Sequence, residues 1–167
     1  MNVDIQHYIK KLPVPDGFSA PVRLEHEDLI ARPLSRIDLQ ADLEGVNTSI
    51  DIIQKTRGGS WPTEKLTEEF DLLDLAWHER EFRDANSFAY VVYNTQGDYV
   101  GCVYIYAMGV RTDLSEGTSE YDADVSWWVT QAKYDAGYYE KLYTAVQAWL
   151  GLFPFVKVYY SNKVIPA

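Results

Sequence analysis

Two β-rich runs, Ser87–Tyr93 and Tyr99–Met108, flank the short segment Asn94-Thr95-Gln96-Gly97-Asp98. So short a connection joins two strands only as an antiparallel hairpin. The polar, Gly-bearing stretch from Gly109 to Ser119 then leads to a third run, Glu120–Val129. After it the apolar period changes from two to nearly four. Tyr139, Leu142, Val146 and Trp149 fall on one side of a helix over Ala136–Leu150, which Gly151 stops. A last run, Phe155–Tyr160, is apolar except for Lys157, so the pattern predicts a strand buried on both faces. The intervening helix is a crossover, which sets this strand parallel to Glu120–Val129.

Upstream, Leu29-Ile30-Ala31-Arg32-Pro33-Leu34 reads as an edge strand, because Pro33 cannot donate to a ladder. Asp38 is a good N-cap, and Leu39, Leu43, Val46, Ile50 and Ile53 make one apolar stripe on a single helix ending at Gly58-Gly59. A second helix opens at Pro62-Thr63 or Thr67, with Leu66, Phe70, Leu73 and Trp77 as its buried face, and fades near Asp84. Residues 1–28 are broken by Pro13, Pro15, Asp16-Gly17 and Pro21 and read as an irregular arm over the domain. The remainder, 29–167, is one domain of order β-α-α-β-β-β-α-β. That order gives an α/β or α+β fold with a mixed, mostly antiparallel sheet flanked by helices.

A chain of 167 residues, 47% hydrophobic and 24% charged, can bury a core without staples. Its single cysteine, Cys102, excludes an internal disulfide and a cysteine-cluster metal site. Fifteen Lys and Arg against twenty-five Asp and Glu leave a net charge of −10, which argues against nucleic acid as a partner. Lys10-Lys11 is the nearest basic patch. No segment resembles a secretion signal or a membrane span, so the cytoplasm is the expected location and Asn47-Thr48-Ser49 a chance glycosylation triplet. Thirteen Tyr and five Trp are the unusual feature, with Trp127-Trp128 and Tyr138-Tyr139 as adjacent pairs. Such pairs build either a ligand cleft or a core with one member under a loop.

Most catalytic motifs are missing. His78-Glu79 would open a zinc-binding HExxH, but its last position is Phe82. His7 and His26 stand alone in the arm, and neither a Gly-x-Ser-x-Gly elbow nor a phosphate-binding Walker loop is present. Glu68, Glu69, Asp71, Asp74 and Glu79 read as the solvated face of the second helix.

The segment Val125-Ser126-Trp127-Trp128-Val129-Thr130-Gln131-Ala132-Lys133-Tyr134-Asp135-Ala136-Gly137-Tyr138-Tyr139 runs from strand through a short loop into a helix. First-turn N–H groups there can bind an anion, and Gly137 lets backbone approach a ligand. Ordinary α/β punctuation gives the same pattern without a ligand.

With that element order, the stretch from Ile30 to Asn162 resembles the GNAT superfamily of N-acetyltransferases. Ala31-Arg32-Pro33-Leu34 before Asp38 is similar to the family's opening, Val100-Gly101 to its Val-Gly step, and Ser161-Asn162 to the asparagine closing its fifth strand. The resemblance implies an acetyl group transferred from acetyl-CoA to an amine of a small molecule or peptide. It implies no metal and no membrane. It maps the acetyl-CoA site onto Trp128, Val129, Thr130, Tyr134, Asp135, Ala136, Gly137, Tyr138, Tyr139 and Asn162.

The departures from the family are specific. Of the Arg/Gln-x-x-Gly-x-Gly/Ala loop only Gly137 is kept; Tyr134 and Tyr139 replace the flanking positions. Asp135 adds a charge that a pyrophosphate disfavours unless Lys133 or Lys141 offsets it. Ala123 stands at the family's glutamate base, which leaves Asp122 and Asp124 on either side as candidate bases. The family's last helix and two strands have no counterpart before Ala167, so packing of the arm or a homo-oligomer is expected to cover the edge at Phe155–Tyr160. The alternative is a non-catalytic domain of the same fold that binds an acyl-CoA or a protein partner.

Overall fold

A computed structural model describes residues 11–167; His7 and Lys10 lie outside them. Six strands form one sheet in chain order: β1 (Leu24–His26), β2 (Leu29–Pro33), β3 (Phe88–Asn94), β4 (Tyr99–Tyr106), β5 (Ala123–Val129) and β6 (Val158–Tyr160). Neighbours are antiparallel except β5 and β6, which are parallel. The expected meander and the parallel final strand are both present. In the hairpin turn, Asn94 Oδ1 accepts from the N–H groups of Gln96 and Asp98, at 3.0 and 2.9 Å, and Gly97 takes the left-handed φ of 85°.

Among the described residues, five α-helices cover the sheet. On one face lie α1 (Leu39–Asn47), α2 (Ile50–Arg57) and α3 (Glu68–Arg83), packed on Ala89, Val91, Cys102, Tyr104 and Trp128. On the other, α5 (Tyr138–Trp149) packs Tyr139, Leu142, Val146 and Trp149 against Val125, Trp127 and Val129. A short α4 (Gln131–Asp135) joins β5 to α5. Trp127 and Trp128, adjacent in a strand, therefore enter opposite cores, and both are fully buried. Opposite them, a Cβ on Gly101 would lie 1.9 Å from the Trp128 carbonyl oxygen, so this position of β4 requires glycine.

Several expectations need correcting. The arm is not irregular throughout: β1 pairs with β2, so β2 is interior rather than an edge. Pro33 is tolerated as its last residue, and Leu34 N–H resumes the ladder to the Ala89 carbonyl at 2.9 Å. Leu12 is buried, with Val14 and Phe18 packed beside it on the α5-side core. The single helix after Asp38 is two, because the chain breaks at Thr48-Ser49.

The buried face of α3 is Asp71, Leu75 and His78, not Phe70 and Leu73, which are exposed. The buried positions keep a helical spacing, but two of the three, Asp71 and His78, are polar. Asp71 accordingly leaves the solvated face assigned to it. The last strand covers only Val158–Tyr160, half-buried at the sheet edge, while Val156 is exposed. It is not buried on both faces, because no further described strand lies beside it. Among the described residues, no helix is long and apolar enough to cross a membrane.

Candidate functional site

All of β6 pairs with only the first three residues of β5, from Ala123–Val158 to Val125–Tyr160, with one more bond from Ser161 N–H to the Val125 carbonyl at 3.0 Å. The chain then leaves the sheet. Lys163 and Val164 N–H groups donate to the carbonyls of Arg57 and Thr56 at the end of α2, at 3.1 and 3.0 Å. The result is a fork whose open arm is the second half of β5.

Side chains fill it. Asn162 Oδ1 accepts from Trp127 N–H at 3.0 Å, and Asn162 Nδ2 donates to the Trp127 carbonyl at 2.9 Å. One side-chain amide thus replaces a backbone neighbour. The Tyr139 ring comes from α5 and stacks on Trp127, with centroids 5.2 Å apart. Its hydroxyl accepts from Asn162 Nδ2 at 2.8 Å and donates to the Val164 carbonyl. Burial pushes this phenol up to about 12.

The loop beyond β5 is helical. Thr130 Oγ1 accepts from Lys133 N–H at 3.2 Å, and Ser49 Oγ from Gln131 N–H at 3.0 Å. The break between α1 and α2 is what aims Ser49 here. Gly137, left-handed at φ 86°, opens α5 with nothing within 4 Å of where its Cβ would stand. That open backbone at the N-terminus of a full-length helix fits an anion such as a diphosphate.

The surrounding charges fit less well. Lys133 is held by Asp98 at 2.9 Å and Lys141 by Asp28 at 2.6 Å, so neither is free to offset Asp135. Beside the loop, a cavity of about 530 Å³ is lined by Glu44, Thr48, Thr130, Gln131 and Asp135 among others, with no Lys or Arg. Bonding to Lys141 and to Tyr138 holds the Asp28 carboxyl below its usual range.

The residues singled out in the sequence thus divide. Val129, Tyr134, Tyr139 and Asn162 meet at or next to the fork; Thr130 and Asp135 line the cavity; Ala136 and Gly137 join α4 to α5. Tyr138 turns away to donate to Asp28 at 2.6 Å. Trp128 lies on the opposite face, where its Nε1–H donates to Tyr104 at 2.9 Å. Of the two candidate bases, Asp122 accepts from the N–H groups of Val156 and Lys157 and so shapes the lead into β6. Asp124 faces the α1–α3 side beside Tyr106, 1% exposed, and neither of its oxygens has a hydrogen-bond partner.

Two further polar features lie on that face, and neither carries a sequence motif. Asp42 and Asp71 are buried together. Burial and the neighbouring Asp42 push Asp71 up to about 8, and Asp42 accepts from the Tyr99 hydroxyl at 2.8 Å. Cys102 lies beside Tyr99, and burial pushes its thiol well up, so it is not a thiolate nucleophile. Arg57 and Arg111 converge over Tyr104 and Tyr106 at a smaller cavity of about 230 Å³.

No family model and no curated protein matches this sequence. Solved structures match its fold. The ribosomal L7/L12 alpha-N-protein acetyltransferase RimL, in complex with coenzyme A, aligns at a TM-score of 0.57 and 13% identity over 78% of this chain. The alignment spans 66% of that protein, just under two thirds of its length. Ribosomal-protein-S5-alanine acetyltransferase from Vibrio fischeri gives 0.57 at 12% identity, covering 78% of this chain and 67% of its own. Spermidine N-acetyltransferase from Vibrio cholerae, in complex with CoA and spermine, gives 0.51 at 18% identity, covering 80% and 70%. The chain has the GNAT fold.

Proposed function

We propose that this GNAT-fold chain is an N-acetyltransferase that moves an acetyl group from acetyl-CoA to an amine. The observation that carries the reading is how the fork is closed. Below Val125 the two parallel strands share a backbone ladder; above it only Asn162 and Tyr139 bridge them. A ladder is a permanent seal, whereas two side chains can rotate aside. Their departure frees the N–H and C=O of Trp127, the donor and acceptor that an extended ligand would pair with. The α5 N-terminus and Gly137 would hold the diphosphate. Acetyl-CoA supplies the activated thioester.

The chain's own residues do the rest. An attacking amine must lose a proton, and Asp124, buried on the α1–α3 face of β5 with both oxygens unpartnered, is the carboxylate proposed to take it. The Trp127 N–H, once released by Asn162, can donate to an oxyanion beside the strand. Asp122, spent on the backbone of β6, takes no part.

A second reading is favoured by the same region. Tyr139 is among the most deeply buried side chains, and both nearby lysines are already paired with acids. Kept closed, the fork belongs to a non-catalytic domain. Calorimetric titration with acetyl-CoA separates the two. Saturable binding, with about 2.7 kcal/mol of added stability at a hundred times Kd, supports an opening fork. Release of free CoA thiol when an amine is added then separates the transferase from a domain that only binds acyl-CoA. No heat from the folded protein leaves the second reading.

A further inference from the structure

The smaller cavity is walled by Arg57, Trp61, Trp77, Tyr104, Tyr106 and Arg111. Its charged lining is two arginines and one carboxylate, Asp74, which faces His78 Nε2 at 3.5 Å rather than either guanidinium. Arg57 is 5% exposed, yet among the described residues its guanidinium makes one hydrogen bond, Nε–H to Ser126 Oγ at 3.1 Å. Its Cζ stands 4.5 Å over the Tyr104 ring and 5.6 Å from that of Trp61. Arg111 donates to Ser161 Oγ at 3.1 Å and to the Arg57 carbonyl at 2.8 Å.

Among the described residues, neither guanidinium has a carboxylate within 4 Å. Burial, and next the charge of Arg57, push Arg111 down to about 10, opposed in part by the charge of Asp124 beyond ion-pair distance. Two close guanidiniums out of water are costly unless an anion joins them, and rings offset only part of that cost. His78, also on this wall, keeps a buried Nδ1 with no partner.

The cavity also adjoins the fork. Ser161, held by Arg111, precedes Asn162, and the Arg57 carbonyl receives the Lys163 N–H. Asp124 neighbours Tyr106 across the strand pair, with Ser126, the partner of Arg57, two residues on.

We infer that this cavity binds the oxyanion of the acceptor: the substrate is an amine carrying a carboxylate or phosphate on a flat body, not a polyamine. The inference rests on the transferase reading for the word acceptor, but the binding itself does not. The guanidiniums take the oxyanion, bidentately where geometry allows, and Trp61, Trp77 and the tyrosines enclose the body. The amine is then directed toward the Asp124 side of the sheet.

Trp61 and Trp77 make the test direct. Intrinsic fluorescence, checked by calorimetry, is followed without acetyl-CoA as three probes are added separately. L-Phenylalanine carries the carboxylate, phenyl phosphate the phosphate, and phenethylamine no oxyanion. At least one anion should bind saturably and at least tenfold tighter than phenethylamine, and the better anion identifies the headgroup. Arg111→Gln, half-buried and so less disruptive than a change at Arg57, should weaken that binding at least tenfold with an unchanged circular dichroism spectrum. The inference falls if neither anion binds the folded wild-type protein, if phenethylamine binds as tightly as the better anion, or if folded Arg111→Gln binds it unchanged. Failure of the transferase reading would show in the acetyl-CoA titration instead and would leave this binding intact.

Discussion

The fork and the arginine cavity are neighbours with opposite chemistry. In the fork, Asn162 satisfies both backbone groups of Trp127 and meets the Tyr139 hydroxyl, which also reaches Val164. Across the sheet, Arg57, Arg111, Asp124 and His78 are buried or half-buried with charges or polar atoms unpaired. Buried polar groups in proteins are overwhelmingly partnered. Among the described residues, the fork leaves only the Trp127 indole Nε1–H without a partner. The cavity side leaves both Asp124 oxygens and His78 Nδ1 unpartnered, and two guanidiniums without a carboxylate within 4 Å. A protein that selected only for stability would have closed both.

The largest expected effect tests the fork as structure. Tyr139→Ala removes a ring stacked on Trp127 and should cost about 3–5 kcal/mol in urea denaturation. The same variant empties the fork, so its affinity for acetyl-CoA should rise if the transferase reading holds. An unchanged affinity would make the ring mere packing.

The buried acids on the cavity's face come next. Asp71 titrates at about 8 folded against 3.8 in its ordinary state, so the native protein keeps a proton that the unfolded chain has released. Through this group, stability is fullest below about pH 4 and falls as pH rises to about 8, by at most about 1.4 kcal/mol per unit. Asp71→Asn should flatten that slope in melts from pH 5 to 8 and raise stability at the upper end. A slope that survives the substitution would assign the dependence elsewhere. Asn162→Ala follows, at about 1–3 kcal/mol, because it strands the N–H and C=O of Trp127. A neutral result would mean that water or a shifted tail satisfies them.

The same contrast explains what the sequence could disclose. Strand order, the parallel β5–β6 pair and the burial of Tyr139 were legible because they follow from period, turn residues and connection length. The break at Thr48-Ser49 was not, because Ser49 serves a distant partner, the Gln131 N–H. Nor was the orientation of α3: counting apolar residues points to Phe70 and Leu73, yet the helix buries Leu75 in the core with Asp71 beside Asp42 of α1 and His78 against the Tyr104 ring. Arg57 lies in Thr56-Arg57-Gly58-Gly59 and Arg111 in a polar loop, with no spacing to link them; only the fold sets both over Tyr104 and Tyr106. Local patterns report backbone geometry well, but a site assembled from two helices, a strand and two loops leaves no local trace.

The smallest effect concerns the loop that joins the two regions. Lys133 would be the natural cation for a diphosphate at the α5 N-terminus, but it is bound to Asp98, and that hydrogen bond is the main reason the Asp98 carboxyl lies below its usual range. Asp98→Asn removes the charge while leaving the turn, since the backbone bonds between residues 94 and 98 do not use it. The pair is exposed on the Asp98 side, so thermal stability should not change measurably. What should change is donor affinity. Freed from its acid, Lys133 can swing from its position 5.1 Å over the Tyr138 ring toward the helix end. Acetyl-CoA should then bind severalfold tighter at low ionic strength, and the gain should disappear in concentrated salt, because an exposed charge acts only within a Debye length. If Asp98→Asn leaves the affinity unchanged at both salt concentrations, Lys133 lies beyond the reach of the diphosphate, and the α5 N-terminus must hold it without help from any side-chain cation.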